Sequence, residues 1–134
     1  MAFTATQPHP ADTDPRPDVA IGHIGPHPTT DLDATVRFFE QLGTRTVAVM
    51  PAMAILELRG GTHLILRQVD RIEPGATASF DLMVDDIDTA HDRFAAAGLE
   101  PSEIGRGGIH SSFQVLDPSG TSVTITSSHA VGPV

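Results

Sequence analysis

The stretch TDLDATVRFFEQLG, beginning at Thr30, returns as DDIDTAHDRFAAAG, beginning at Asp85. Asp31, Leu32, Asp33, Phe39 and Gly43 recur as Asp86, Ile87, Asp88, Phe94 and Gly98, 55 residues further on. A self-similar period longer than one helix or hairpin marks each copy as a supersecondary unit that cannot bury its apolar face alone. A chain of 134 residues is therefore expected to fold as two such units packed together, and function turns on what they enclose.

The local signals in the two copies agree. Leu32, Val36, Phe39 and Leu42 are spaced for one face of a helix, with Asp31 placed as N-cap and Gly43 as the C-terminal stop. Ile87, Ala90, Phe94 and Ala97 repeat that face between Asp86 and Gly98. Short segments of strand character surround each helix: 19–25, 46–50, 54–59 and 62–68 around the first, and 78–84, 102–105, 109–116 and 121–126 around the second. Each half reads strand, helix, three strands. The last strands also repeat, GTHLIL from Gly61 as GTSVTI from Gly120, 59 apart. The expected organisation is a proline-rich flexible arm over 1–18, one domain over 19–129 made of modules 19–70 and 78–129, and a tail over 130–134 that carries no legible motif.

Composition narrows the function classes. With 40% apolar residues a chain of this length can bury a real core. Seventeen acidic residues face 8 arginines and no lysine, a net charge of −9 that repels a phosphate backbone, so nucleic acid is not an expected partner. Without cysteine there is no disulfide, thiolate ligand or thiol nucleophile. No apolar run approaches the roughly 20 residues that cross a bilayer, and the start MAFTATQPHP lacks a signal-peptide pattern, so the expectation is a cytoplasmic protein without a membrane partner.

A tandem βαβββ unit with these two helix starts, closed by FQVLDPSGTSVTI (113–125), resembles the vicinal oxygen chelate superfamily of glyoxalases, extradiol dioxygenases and bleomycin resistance proteins. The resemblance spans about 19–129. It implies an α+β fold in which two modules, paired within one chain or swapped between chains, curl a mixed β-sheet into a cup with the helices outside, and it implies a homodimer.

Strand alternation assigns faces. Leu64, Leu66, Phe80, Leu82, Val84, Phe113, Val115, Val123 and Ile125 are expected toward the helices. His63, Ile65, Arg67, Ser79, Asp81, Met83, His110, Ser112, Gln114, Ser122, Thr124 and Thr126 then face the cup. Asp81 is the least expected of these, because a buried carboxylate needs a partner such as Arg67 or a histidine. His27, among prolines, and His91, on the second helix, read as surface residues.

Metal-using relatives place ligands on the first and last strand of each module. Carried onto this chain, those positions hold His23, Ile65, Ser79 and Thr124, and His23 aligns only if a one-residue bulge lies near Pro26 or Pro28. A catalytic divalent ion generally takes about three protein ligands, so the inherited site is expected to be degenerate, with no cofactor. A displaced ion, if present, would use His23, His63 and His110. Two readings follow. One is a small-molecule binder that holds its ligand through His23, His63, Arg67, Ser79, Asp81, His110, Gln114 and Thr124. The other is a lyase, isomerase or dioxygenase of glyoxalase type, with His63 or His110 as acid/base or with a displaced metal site.

Overall fold

Both halves build the expected unit. The first runs β1 (His23–Thr29), α1 (Leu32–Leu42), β2 (Arg45–Val49), β3 (Met53–Glu57) and β4 (His63–Gln68). The second runs β5 (Thr77–Val84), α2 (Ile87–Ala96), β6 (Gly105–Arg106), β7 (Ser111–Leu116) and β8 (Ser122–Ser127). The computed structural model describes residues 16–128, so most of the expected arm and the C-terminal tail lie outside the described residues. Among the described residues no helix is long and apolar enough to cross a membrane.

The helices begin where the sequence places them. The Asp31 carboxylate accepts the Ala34 N–H at 3.1 Å, and that of Asp86 accepts the Thr89 N–H at 3.0 Å, each satisfying a donor the first turn leaves unpaired. Gly43 closes α1 at φ 125°, beyond the reach of most side chains, while its N–H returns to the Phe39 and Glu40 carbonyls.

Strand order is β1-β4-β3-β2 in one sheet and β5-β8-β7-β6 in the other. The β1/β4 and β5/β8 pairs are parallel and the others antiparallel, so both sheets are mixed. The sheets are not closed, and β1 packs beside β5 within the same chain. Alternation behaves as expected: Leu64, Leu66, Phe113, Val115, Val123 and Ile125 are buried against the helices with Phe39 and Phe94. Each such side chain contributes on the order of 1.5–3 kcal/mol by leaving water.

The first strand starts at His23 rather than Val19 and continues through both prolines. His23 pairs with His63 and Ile24 with Leu64, but the next pair is His27 with Leu66, so one extra residue is accommodated at Gly25–Pro26. This is the bulge required to align His23. Only glycine fits at its first position, because a Cβ on Gly25 would lie 2.7 Å from the Ile65 carbonyl oxygen. The bulge rotates His27 into the core, where it is 2% exposed, so the surface reading of His27 is corrected. His91 is also not a plain surface residue: its ring packs edge-on against Phe113 and bonds the Ser102 carbonyl at 2.8 Å. The expected strand at 102–105 shrinks to Gly105–Arg106. Ser102 instead engages Gln114, its N–H donating to the Gln114 carbonyl and its hydroxyl accepting the Gln114 N–H, both at 2.9 Å.

The modules are joined by buried polar contacts. His27 Nε2 lies 2.7 Å from Asp117 Oδ2, and the ring sits edge-on to Phe39 and Phe80. Asp117 Oδ1 also accepts the Ser119 and Thr121 N–H groups. The Ser119 hydroxyl bonds the Thr29 hydroxyl and accepts the Thr30 N–H, both at 2.9 Å. The β7–β8 turn thus docks on the end of β1. The repeat places Leu58 where Asp117 stands and Leu82 where His27 stands; both are half-buried leucines packed on the core. Outside them the Arg59 guanidinium grips the exposed Asp85 carboxylate at 2.9 and 3.2 Å.

Removing one member of a buried pair strands the other, at a cost of about 3 kcal/mol or more. Urea unfolding followed by circular dichroism should show this loss for Asp117→Ala, and a smaller loss for the His27→Leu/Asp117→Leu double variant than the sum of its single variants. An unchanged midpoint for Asp117→Ala would refute the His27–Asp117 contact as a tie between the modules.

Candidate functional site

On the face of the first sheet away from α1, cross-strand register aligns Arg45, Glu57, His63 and His23 in one row across β2, β3, β4 and β1. Arg45 Nη2 donates to Glu57 Oε2. The other carboxylate oxygen, Oε1, lies 3.6 Å from His63 Nε2, an electrostatic contact rather than a hydrogen bond. The His63 ring meets His23 edge-on, with centroids 5.7 Å apart and an interplanar angle of 79°. The next row along the strands is apolar, Ala48, Ile55 and Ile65, and beyond it Arg67 pairs with Met53. The polar row is therefore bordered by an alkyl floor.

The second sheet carries a different face. Gln114, Thr124 and Asp81 share one row, and Ser112, Thr126 and Met83 the next. Ser79 is exposed within the stretch of β5 where the register to β8 shifts, between Thr77 and Asp81. Gln114 is steadied by the Ser102 hydroxyl.

Of the residues singled out from the sequence, His23 and His63 are brought together and Gln114, Thr124 and Asp81 align. Arg67 is exposed and makes no hydrogen bond or ion pair among the described residues. Asp81 is a correction: it is exposed, and among the described residues neither Arg67 nor a histidine pairs with it, so water rather than a countercharge solvates the carboxylate. His110 is another. It does not belong to a strand but precedes β7 in an exposed turn, where its carbonyl accepts the Gly107 N–H at 2.9 Å. His110 therefore does not extend the His23/His63 row, and among the described residues no three His, Asp or Glu side chains are grouped so as to hold a metal ion.

Sequence reasoning missed Glu57 and Arg45. Their signal was the hairpin register: a strand ending at Glu57 and another starting at His63, joined through the short turn Arg59–Gly61, must set those two residues opposite each other. The Arg45 hydrogen bond holds the Glu57 carboxyl below its ordinary range, with the Arg45 charge and His63 acting in the same direction against burial. Arg106 does the same for Asp88 at the start of α2. A depressed carboxyl contributes stability above its unfolded pKa and loses it as pH falls through the folded value. Arg45→Ala should therefore raise the Glu57 titration midpoint toward 4.5 in side-chain carboxyl NMR and flatten the acid limb of the stability profile. An unmoved midpoint would refute the contact.

The sequence profile described as Glyoxalase/Bleomycin resistance protein/Dioxygenase superfamily matches residues 20–125. A comparison with curated protein sequences gives no match. Among solved structures, a lactoylglutathione lyase from Agrobacterium tumefaciens superposes with a TM-score of 0.68 at 22% identity, covering 84% of this chain and 96% of that one. A bleomycin resistance determinant encoded on transposon Tn5 gives 0.64 at 22%, covering 85% and 100%. The oxidase ChaP-H2 gives 0.65 at 22%, covering 86% and 98%. At these identities the structures share the fold, and the profile match over most of the chain establishes descent: the protein belongs to the Glyoxalase/Bleomycin resistance protein/Dioxygenase superfamily.

Proposed function

We propose that the protein binds a small organic molecule on the helix-free face of its first sheet and does so without an ion at the ligand positions of its metal-using relatives. The observation that carries this reading is the row Arg45, Glu57, His63, His23 beside the isoleucine floor. Small-molecule sites generally combine apolar lining with a few fixed polar groups. Here Arg45 fixes Glu57, Glu57 faces the His63 imidazole, and the His63 side chain remains 33% exposed for a ligand. An apolar portion of the ligand would lie on Ile55 and Ile65, with Arg67 beyond for an anionic group. Ser79, Asp81, Gln114 and Thr124 supply the polar groups of the opposing sheet.

Against an ion at the inherited positions stands the chemistry of the side chains there. Ile65 has no donor atom, Ser79 and Thr124 offer neutral hydroxyls, and His23 alone is an ordinary ligand. The second reading, a lyase, isomerase or dioxygenase with a displaced ion, is favoured by the adjacency of two imidazoles and one carboxylate in that row. It requires Glu57 to leave Arg45.

Thermal unfolding with zinc, nickel, manganese and iron(II), alongside native mass spectrometry, separates the two readings. The binder shows no stoichiometric ion and no shift with any of the four. A ligand found by small-molecule screening should then bind His63→Ala about tenfold more weakly, the loss of one good hydrogen bond, with little change in stability. A stoichiometric ion that disappears in His63→Ala would establish the second reading.

A further inference from the structure

The two module junctions are copies of one another and have diverged. Where the β7–β8 turn docks with Asp117 and Pro118, the remaining cavity is about 430 Å³. At the other junction, where Leu58 and Leu82 replace the buried pair, a groove of about 1280 Å³ opens between the modules and is bounded on one side by residues 16–20. That volume exceeds the roughly 300–1,000 Å³ of ordinary ligand pockets. Its apolar surface includes the half-buried Leu58 and Leu82, Met83 at 48% exposure and Val19 at 84%.

The charges lining the groove are unequally engaged. Arg59 is bound bidentately to Asp85, Arg93 donates to the Leu42 carbonyl and lies 4.9 Å over the Phe94 ring, and Arg16 is engaged as well. Asp86 is committed to capping α2. Asp81 and Asp18 have no hydrogen bond or ion pair among the described residues. The groove therefore offers apolar area and uncompensated carboxylates, while every arginine along it already has a partner, and the whole chain carries −9.

We propose that this open junction is a binding site for an organic cation with an apolar body, its ammonium group set over Asp81 and its body against Met83, the next side chain on the same face of β5. Charge complementarity selects this occupant: an anion would meet unpaired carboxylates. The site shares Asp81 with the second-sheet face of the proposed small-molecule site but uses none of the Arg45, Glu57, His63 and His23 row, so the two readings are told apart by variant: Asp81→Asn acts on the amine probe here, His63→Ala on the ligand there.

The test uses the full-length chain and dansylcadaverine, a primary amine on an apolar fluorophore, with neutral dansylamide as the uncharged comparison. Saturable fluorescence enhancement is expected with the amine. Asp81→Asn should weaken it about fivefold, as for a partly exposed charge pair, and Asp81→Lys should weaken it further. Rising salt should act in the same direction. Gln41→Ala, at the tight junction, should leave it unchanged. Absence of saturation, equal affinity for dansylamide or indifference to both Asp81 variants would overturn the proposal. So would probe binding that appears only on dilution from dimer to monomer by sedimentation, which would make a second copy the occupant.

Discussion

The arrangement of this molecule depends on one buried contact, the imidazole of His27 against the carboxylate of Asp117. Each module alone has one sheet and one helix, too little to exclude water from both ends of its apolar layer. The contact joins a strand of the first module to a turn of the second inside a shell of Phe39 and Phe80, where an unpaired polar group would be costly. Such a contact is less a source of net stability than a choice of partner, because few alternative packings satisfy both groups. Asp117 also holds the Ser119 and Thr121 amides, so the geometry of the turn and the docking of the modules are the same interaction.

Most of the fold was legible because duplication writes each signal twice. Both N-cap aspartates, both helical faces and the alternation in β4, β7 and β8 read directly from residue type and spacing. What failed did so where the period breaks. The bulge at Gly25–Pro26 inverts the face of everything after it in β1, so His27, flanked by prolines, passes for surface and is core. The alignment had called for a bulge, yet its consequence for the residue next to it required knowing on which side it falls.

The candidate site was legible only in part, for a different reason. His63 could be placed on the open face from alternation and His23 singled out only through the family resemblance, but Glu57 and Arg45 reach that row through pairing between strands, which periodicity within a strand does not encode. His110 and Asp81 depart from the pattern in opposite ways: strand character in the sequence runs on past the start of β7 into the turn that holds His110, and an inward position on β5 leaves the Asp81 carboxylate exposed. The faces that result are chemically unlike. The first sheet carries a pinned carboxylate, imidazoles and an alkyl floor, whereas the second carries amide, hydroxyl and a solvated acid. Divergence between copies thus shows both at the junctions and across the open faces.

A pair of unclosed sheets leaves β2 and β6 as outermost strands, with backbone donors and acceptors that another chain can use. In β2, where Val47 and Val49 are each 51% exposed, the register slips between Thr46 and Ala48, so the strand does not present a straight ladder. In β6 the ladder is two residues long, and Ser102 ties the preceding segment to Gln114 through its backbone N–H and its hydroxyl. Irregularity at one margin and brevity at the other act as built-in insulation against fibril-like stacking. The same features bear on engineering: regularising β2 or lengthening β6 to rigidify the molecule would strip that insulation and exchange solubility for order.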